Sequence, residues 1–247
     1  MKVIIQIPCY NEELQLPIAV DAINSAISNF NFPGNENIIW EIMVIDDGSY
    51  DQTLKIASKI NVNHIISHGR HRGLAYTFQR GIDECLSLGA SIIVNTDADN
   101  QYEAKDIERL IIPILEKKAD MVIGDRQIFK SEEFSFIKKC LQLLGSFVIR
   151  ILSNTDIKDA PSGFRSFSRY AAKKINITEK YTYTLENIIQ SSFNNIKIQT
   201  IPIRTNKSIR KSRLIKSNTQ YIFASVLTII RLIFKYKFIV IKKYFIK

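Results

Sequence analysis

Short apolar runs, each ended abruptly by polar residues, are the feature that most constrains how this chain can fold. The runs cover residues 3–7, 42–45, 64–66, 91–94 and 121–123, and the segments 14–27, 53–59, 74–86 and 104–117 between them carry apolar residues at helical spacing. Strands that are apolar on both faces are typical of a parallel sheet covered by helices on both sides. The sequence therefore predicts an α/β fold around a mostly parallel sheet.

The polar clusters follow these strands directly. "PCYNE", "DDGS", "DADNQ" and "GDR" each begin where a predicted strand ends. In open parallel sheets, ligands bind outside the carboxyl ends of the strands, so we expect the four clusters to converge on one edge. The chain has no glycine-rich dinucleotide fingerprint, no P-loop and no nucleophile-elbow serine motif. The predicted binding edge is therefore of a different kind.

Asp97 and Asp99 stand one residue apart just after the fourth apolar run. Two carboxylates that turn into one cleft repel each other unless a cation lies between them. Oxygen ligands suit Mg²⁺ or Mn²⁺, and Mg²⁺ is commonly held by one or two carboxylates together with substrate phosphates. The pair therefore predicts a metal-bound diphosphate. The alternative is a solvated turn whose aspartate caps the next helix.

The clusters after the first two strands offer groups that suit a nucleotide. Tyr10 provides a stacking face, Pro8 stiffens the loop, and the carboxylates of Asp46 and Asp47 can accept hydrogen bonds from a base or ribose. The alternative is structural: Asn11, Ser49 or Asp51 would cap the helices that follow. In "HGRHRGLA", a glycine turn places two arginines at a predicted helix start, where anions are favoured.

Six ordered motifs carry a resemblance to a known family. "IPCYNEE", "VIDDGSYDQT", "HRGLA", "NTDADNQY", "IGDR" and "DAPSGFRSFSR" resemble, in order and spacing, the family-2 inverting glycosyltransferases with the GT-A fold. They are most similar to the dolichyl- or polyprenyl-phosphate mannose and glucose synthases. The resemblance covers roughly residues 1–215 and implies a Rossmann-like, mostly parallel sheet with helices on both faces.

The resemblance also implies roles for individual residues. Those that would hold the nucleotide-sugar are Pro8, Tyr10, Glu12, Asp46, Asp47, Gly73 and Asp97. Asp97 and Asp99 would bind the metal, with Gln101 completing a D-x-D-x-Q pattern.

The later motifs would serve the acceptor. Arg126 would face the diphosphate or the acceptor, and the "DAPSGFR" loop would place Asp159, Ser162, Gly163 and Arg165 beside the sugar. Arg204 and Arg213 match basic, phosphate-contacting positions, although "NKSIRKS" replaces the usual glycine-containing form. Glu186 is the reserve general base if the acceptor is a hydroxyl. Its alternative is a glutamate on a helix surface.

The C-terminal part, 216–247, is predicted to be a basic, amphipathic helical segment. Thirteen of the 34 Lys and Arg residues lie after Glu186, and residues 187–247 contain no Asp or Glu. The uncharged stretch 217–230 is shorter than the roughly 18–20 residues that span a bilayer. We therefore expect it to lie at an anionic membrane surface. The alternatives are packing on the domain or on a partner subunit, and a nucleic-acid patch.

The sequence as a whole predicts a metal-dependent transferase that moves a hexose from a GDP- or UDP-sugar to a polyprenyl phosphate. Three scattered cysteines and a short N-terminal apolar run favour a reducing compartment, so we expect the protein on the cytoplasmic side. We expect it to be peripheral on that face of the membrane and to have no nucleic-acid partner. One alternative is a family-2 enzyme that glycosylates a sugar hydroxyl. Another is a non-catalytic nucleotide-sugar sensor or nucleic-acid-binding protein.

Overall fold

A central sheet organises the chain. A computed structural model describes residues 1–31, 37–128, 136–179 and 182–206, together with the short stretches 227–228, 230–232 and 234–236. In these ranges the strands are β1 (Lys2–Cys9), β2 (Ile39–Asp46), β3 (His64–Ser67), β4 (Ile92–Asn95), β5 (Met121–Asp125), β6 (Arg165–Ser168) and β7 (Ile198–Pro202). They form one sheet in the order β3-β2-β1-β4-β6-β5-β7.

The sheet is parallel except for β6, which runs antiparallel between β4 and β5. Arg165 begins this strand opposite Asn95, the last residue of β4. The loop before Arg165 therefore lies at the same edge where the parallel strands end. Strand β6 was not predicted, because "RSFS" holds a single apolar residue and carries no strand pattern.

Helices cover both faces of the sheet, as predicted. They are α1 (Leu16–Ser28), α2 (Thr53–Ala57), α3 (Leu74–Ser87), α4 (Asp106–Leu115), α5 (Phe136–Ser153), α6 (Arg169–Lys174) and α7 (Tyr183–Phe193). Alternate strand residues feed two cores: Ile4 and Ile93 face the core that includes α3, α6 and α7, whereas Ile5 and Val94 face the core that includes α1 and α4. This double burial explains the unbroken apolar runs.

The described part of the C-terminal segment packs on the domain. Residues 227–228, 230–232 and 234–236, here called the tail segment, are helical, and Leu232 and Tyr236 join the same core as α7. The rest of 216–247 lies outside the described residues. Among the helices of the described ranges, none is long and apolar enough to cross a membrane.

Candidate active site

The carboxylate pair lies in the turn that follows β4. An Asp99 carboxylate oxygen accepts a hydrogen bond from the Gln101 backbone N–H at 3.1 Å, and Asn100 adopts a left-handed conformation with φ of 56°. Burial, together with the negative charge of Asp99, raises the pKa of Asp97 to about 7. The fold therefore holds a carboxylate whose ionisation is opposed by its surroundings.

These two side chains fit a divalent cation. No group of three or more His, Cys, Asp or Glu in the described ranges is arranged to hold a metal by itself. Two carboxylates suit Mg²⁺ or Mn²⁺ when substrate phosphates and water complete the coordination. A cation would also relieve the repulsion that Asp99 exerts on Asp97. A role for Gln101 as the third ligand stays a prediction.

Tyr102 joins this turn to the predicted acceptor loop. Its hydroxyl accepts a hydrogen bond from the Gly163 backbone N–H at 3.0 Å and hydrogen-bonds the side chain of Asp97. Its ring stacks on Phe164 at 4.9 Å. Tyr102 was not predicted as a site residue, because "NQY" shows only an aromatic residue after the carboxylates and nothing local pairs it with a loop 61 residues away.

Gly163 lies so close to Asp97 and Tyr183 that a side chain here would force these neighbours to shift. A Cβ at this position would lie 2.9 Å from the Tyr183 hydroxyl and 3.3 Å from a carboxylate oxygen of Asp97. The Asn95 side-chain amide donates to the Gly163 carbonyl at 2.8 Å and to the Tyr183 hydroxyl at 3.1 Å. The predicted metal ligand and the predicted acceptor loop thus belong to one hydrogen-bonded unit, and their roles stay predictions.

Arg126 and Asp159 form a buried ion pair next to this unit. The Arg126 guanidinium donates from Nε and from one terminal nitrogen to the two carboxylate oxygens of Asp159, each at 2.8 Å, and its backbone N–H adds a third bond at 3.1 Å. Burial alone would lower the pKa of Arg126, but Asp159 outweighs burial and raises it. The positive charge of Arg126 also acts on Asp97, where it partly offsets the rise in pKa caused by burial and by Asp99. The pair therefore fixes the Arg126 guanidinium in a position where its charge acts on Asp97.

Arg165 is not beside the sugar as an open cation, and that prediction needs correction. Its side chain is fully buried, and its guanidinium donates to the carbonyls of Ala160, Ser162 and Thr184 and to the side chain of Asn187. Burial lowers its pKa to about 10. The geometry favours a positioning role: Arg165 joins the predicted acceptor loop to α7.

Glu186 is likewise poorly placed for a general base. Its carboxylate is fully buried and accepts hydrogen bonds from the Thr178 and Glu179 backbone N–H groups, at 2.8 Å each, and from Lys235 and Tyr236 of the tail segment. Burial alone would raise its pKa, but these hydrogen bonds outweigh burial and hold the pKa below the ordinary value. Both alternatives raised by the sequence, a base and a helix-surface glutamate, disagree with this geometry.

On the predicted nucleotide side, Asp46 and Asp47 order the neighbouring loops. Asp46 accepts from the Ser49 backbone N–H and the Ser67 hydroxyl, while Asp47 accepts from the backbone N–H groups of Arg72 and Gly73. From the sequence we expected both carboxylates to accept hydrogen bonds from a base or ribose. In the structure both accept hydrogen bonds from protein groups. Their contact with a nucleotide stays a prediction.

Tyr10 contacts the loop between β3 and α3. The His71 ring packs on it with centroids 4.3 Å apart, and the His71 imidazole contacts an Asp47 carboxylate oxygen at 2.9 Å. We assigned no role to His71 from the sequence, because its spacing matches no metal motif. The contact shows that it shares the predicted stacking face.

Three further residues predicted for the site are Pro8, Glu12 and Ser162. Pro8 lies inside β1 rather than in a loop, two residues beyond Gln6, the last residue of β1 that pairs with β4. Glu12 is buried and acts electrostatically on Asp97, so it belongs to the same edge. Ser162 is buried, and its hydroxyl makes no hydrogen bond within the described residues.

Arg204 borders the carboxylate turn. Its carbonyl accepts from the Glu103 backbone N–H, and its exposed guanidinium pairs with Asp106 at 3.2 Å. Two residues later, the Asn206 backbone N–H donates to the Gln101 carbonyl. Arg213 lies outside the described residues.

Comparison with known proteins identifies the family. The model of Glycosyl transferase family 2 matches residues 4–176. The chain belongs to glycosyl transferase family 2. The predicted family and the prediction of a glycosyltransferase enzyme are thereby confirmed.

Relatives of this family-2 chain carry names that refer to polyprenyl lipids. The UDP-N-acetylglucosamine–dolichyl-phosphate N-acetylglucosaminyltransferase of Methanococcus voltae is 30% identical over 221 residues, which cover 81% of this chain and 83% of the relative. The polyprenol monophosphomannose synthase of Mycolicibacterium smegmatis is 24% identical over 229 residues, 88% of this chain and 82% of the relative. They confirm the predicted resemblance to the polyprenyl-phosphate branch of family 2.

A solved structure supports the GT-A fold of this family-2 chain. Glucosyl-3-phosphoglycerate synthase of Mycobacterium tuberculosis, in a complex with Mn²⁺, UDP and glucosyl-3-phosphoglycerate, superposes with a TM-score of 0.68 at 16% identity, over 92% of this chain and 79% of that one. At this identity the likeness concerns the fold. It confirms the predicted mostly parallel architecture.

Proposed function

We propose that this glycosyltransferase moves a hexose from a nucleoside diphosphate sugar, with UDP or GDP as the nucleotide, to a polyprenyl phosphate. The observation that carries the proposal is the shared unit of Asp97, Tyr102 and Gly163, which joins a metal-type carboxylate to the acceptor loop. A transferase needs the leaving diphosphate and the acceptor to meet at one point. This unit supports such a meeting point at the edge of the sheet.

Asp97 and Asp99 would hold Mg²⁺ or Mn²⁺ against the donor diphosphate. When bound, the cation would take up negative charge that develops on the leaving phosphate, a contribution of several kcal/mol. On the same edge, Arg126 adds a positive charge that acts on Asp97. Tyr10 and His71 would flank the base, beside the loops that Asp46 and Asp47 order.

In the transfer itself, an acceptor oxygen attacks the anomeric carbon on the face opposite the diphosphate. The new carbon–oxygen bond forms while the old one breaks, and its electron pair leaves with the nucleoside diphosphate. A phosphate monoester has its second pKa near 6, so it is largely ionised at neutral pH and needs no general base. The engagement of Glu186 by six hydrogen-bond donors supports this acceptor over a sugar hydroxyl.

The tail segment supports peripheral association with an anionic membrane. Positions 228, 232 and 236 are buried against the domain, whereas Ile230, Arg231 and Phe234 are exposed. A helix that presents apolar and basic side chains outward suits the headgroup region of a bilayer. We place the enzyme at the cytoplasmic face as part of this proposal.

The proposal is tested by transfer to lipid. Purified protein, Mn²⁺ and radiolabelled UDP- or GDP-hexoses are incubated with undecaprenyl or dolichyl phosphate, and label is measured in the organic phase. We expect organic-extractable label with one donor, its loss on chelation with EDTA, and its loss in Asp97→Asn and Asp99→Asn. Asp21→Asn, on the exposed side of α1, is the matched control and should retain activity.

Two results would contradict the proposal. Absence of extractable label with every donor, under conditions where a nucleotide-sugar raises the melting temperature, would remove the lipid acceptor. Label transferred to a free sugar, and lost in Glu186→Gln with donor binding retained, would favour a hydroxyl acceptor instead.

A further inference from the structure

Glu186 is a buried carboxylate that the proposed reaction does not use. It lies in the first turn of α7, and one of its oxygens accepts the backbone N–H groups of Thr178 and Glu179. The other accepts the Gln190 side chain at 3.2 Å and the Tyr236 hydroxyl at 3.1 Å. An ionised carboxylate is tolerated in a buried position only when it is paired and hydrogen-bonded. Its partners therefore decide what it does.

The charge partner of Glu186 comes from the tail segment. The Lys235 ammonium lies 2.5 Å from a Glu186 carboxylate oxygen, and it also contacts the Thr178 hydroxyl. Tyr236, the next residue, stacks its ring on Phe193 at the other end of α7 with centroids 5.5 Å apart. The tail segment is thus held at both ends of this helix.

The same helix supports the acceptor loop on its other side. Tyr183, the first residue of α7, meets the Asn95 amide that also holds the Gly163 carbonyl. The Thr184 carbonyl and the Asn187 side chain accept from Arg165. Arg165 in turn donates to the carbonyls of Ala160 and Ser162 in the loop, at 2.5 and 2.7 Å. Every residue from 183 to 191 in α7 is buried, so the helix is fixed between its two sets of contacts.

We propose that Glu186 is a positioning residue that joins the tail segment to the acceptor loop through α7. Seating of the tail segment would order α7, and α7 would hold the loop at 159–163 where the acceptor binds. The role of the loop in acceptor binding rests on the proposed function, whereas the mechanical connection does not.

Electrostatics make this connection stronger than a surface contact. If the tail segment leaves, Glu186 loses Lys235 and Tyr236 together, and the carboxylate keeps its bonds to Thr178, Glu179 and Gln190 but has lost its cation. Breaking one partner from a buried pair is costly because the other charge is left uncompensated. Departure of the tail segment is therefore expected to loosen α7 rather than leave it unchanged.

The experiment compares three substitutions in the full-length chain. Lys235→Met removes the cation from Glu186, and Lys235→Arg keeps it. Lys59→Met is the control, because it removes an exposed cation that lies just after α2 and outside the tail segment. Hydrogen exchange is followed in peptides covering 159–165 and 183–193. In parallel, transfer to detergent-solubilised undecaprenyl phosphate gives the acceptor KM, and a nucleotide titration with Mn²⁺ gives the donor Kd.

We expect Lys235→Met to speed exchange in both peptides and to raise the acceptor KM about tenfold, equivalent to about 1.4 kcal/mol, with the donor Kd unchanged. Lys235→Arg and Lys59→Met should match the wild type. Unchanged exchange at 159–165 in Lys235→Met would overturn the proposal. Equal weakening of donor and acceptor would also overturn it, since general destabilisation predicts that pattern. If the wild type transfers nothing to the lipid, the proposed function fails, and the exchange data still decide the connection.

Discussion

Replacing Asp159 with leucine tests whether the buried ion pair organises the site. Asp159 accepts three hydrogen bonds from Arg126, and the side chains of Asp159 and Arg126 are only 1% and 9% exposed. Removing one partner of such a pair leaves a buried charge uncompensated, which costs about 3–5 kcal/mol. At about 2–4 °C per kcal/mol for a chain of this size, the melting temperature should fall by about 6–20 °C.

A double variant tests whether the cost of Asp159→Leu comes from the uncompensated charge of Arg126. Arg126→Met combined with Asp159→Leu removes both charges, and apolar replacement of a whole buried pair is often close to neutral for stability. The double variant should therefore be more stable than Asp159→Leu alone. Both variants should lose transfer at least about a hundredfold, because a small misplacement of a positioning group can have that effect.

Urea unfolding provides the measurement. The single tryptophan, Trp40, lies in β2 and gives a fluorescence signal from the sheet. Glu116→Ala, which breaks the exposed pair with Lys118, is the matched control and should change the free energy of unfolding by less than about 1 kcal/mol. The reasoning is refuted if Asp159→Leu is as stable as this control, or if adding Arg126→Met destabilises it further.

Two other substitutions test the turns at the edge of the sheet. Tyr102→Phe removes the hydroxyl that accepts from the Gly163 N–H and that hydrogen-bonds Asp97. We expect the free energy of unfolding in urea to fall by about 1–3 kcal/mol. We also expect Mn²⁺ binding, measured by calorimetry with nucleotide present, to weaken about tenfold. Tyr170→Phe, at a half-exposed position, should change neither, and equal effects in both variants would contradict the assignment. Gly48→Ala should destabilise the fold by more than about 1 kcal/mol and abolish nucleotide binding, because φ is 72° and a Cβ would overlap the backbone before α3. Wild-type nucleotide affinity in that variant would show that the loop is not needed for the donor.

Much of the fold could be predicted from local pattern. The strands at 3–7, 42–45, 64–66, 91–94 and 121–123 were identified because strands buried on both faces need continuous apolar residues. The helical segments between them were found through their spacing. Parallel strands bring their carboxyl ends to one edge, so the placement of Asp47, Asp97 and Arg126 at that edge was expected from the parallel direction of the strands.

Part of the site escaped this reasoning. Arg165 was placed beside the sugar, and Glu186 was given as a reserve base or a helix-surface glutamate, because a charged residue in a motif carries no sign of what surrounds it. The structure buries both and gives each a full set of hydrogen-bond partners. Tyr102 and Asn95 were not singled out, although they connect the carboxylate turn to the acceptor loop.

Neighbouring residues along the chain specify the layered architecture, the polar edge of the sheet and the carboxylate pair. Only the folded chain shows which charges lie open at that edge and which are buried and paired. Arg126 meets Asp159 across 33 residues, and Glu186 meets Lys235 across 49. Such partners are chosen by burial: a charge taken out of water must be compensated by whatever the fold brings beside it. No local periodicity encodes that choice.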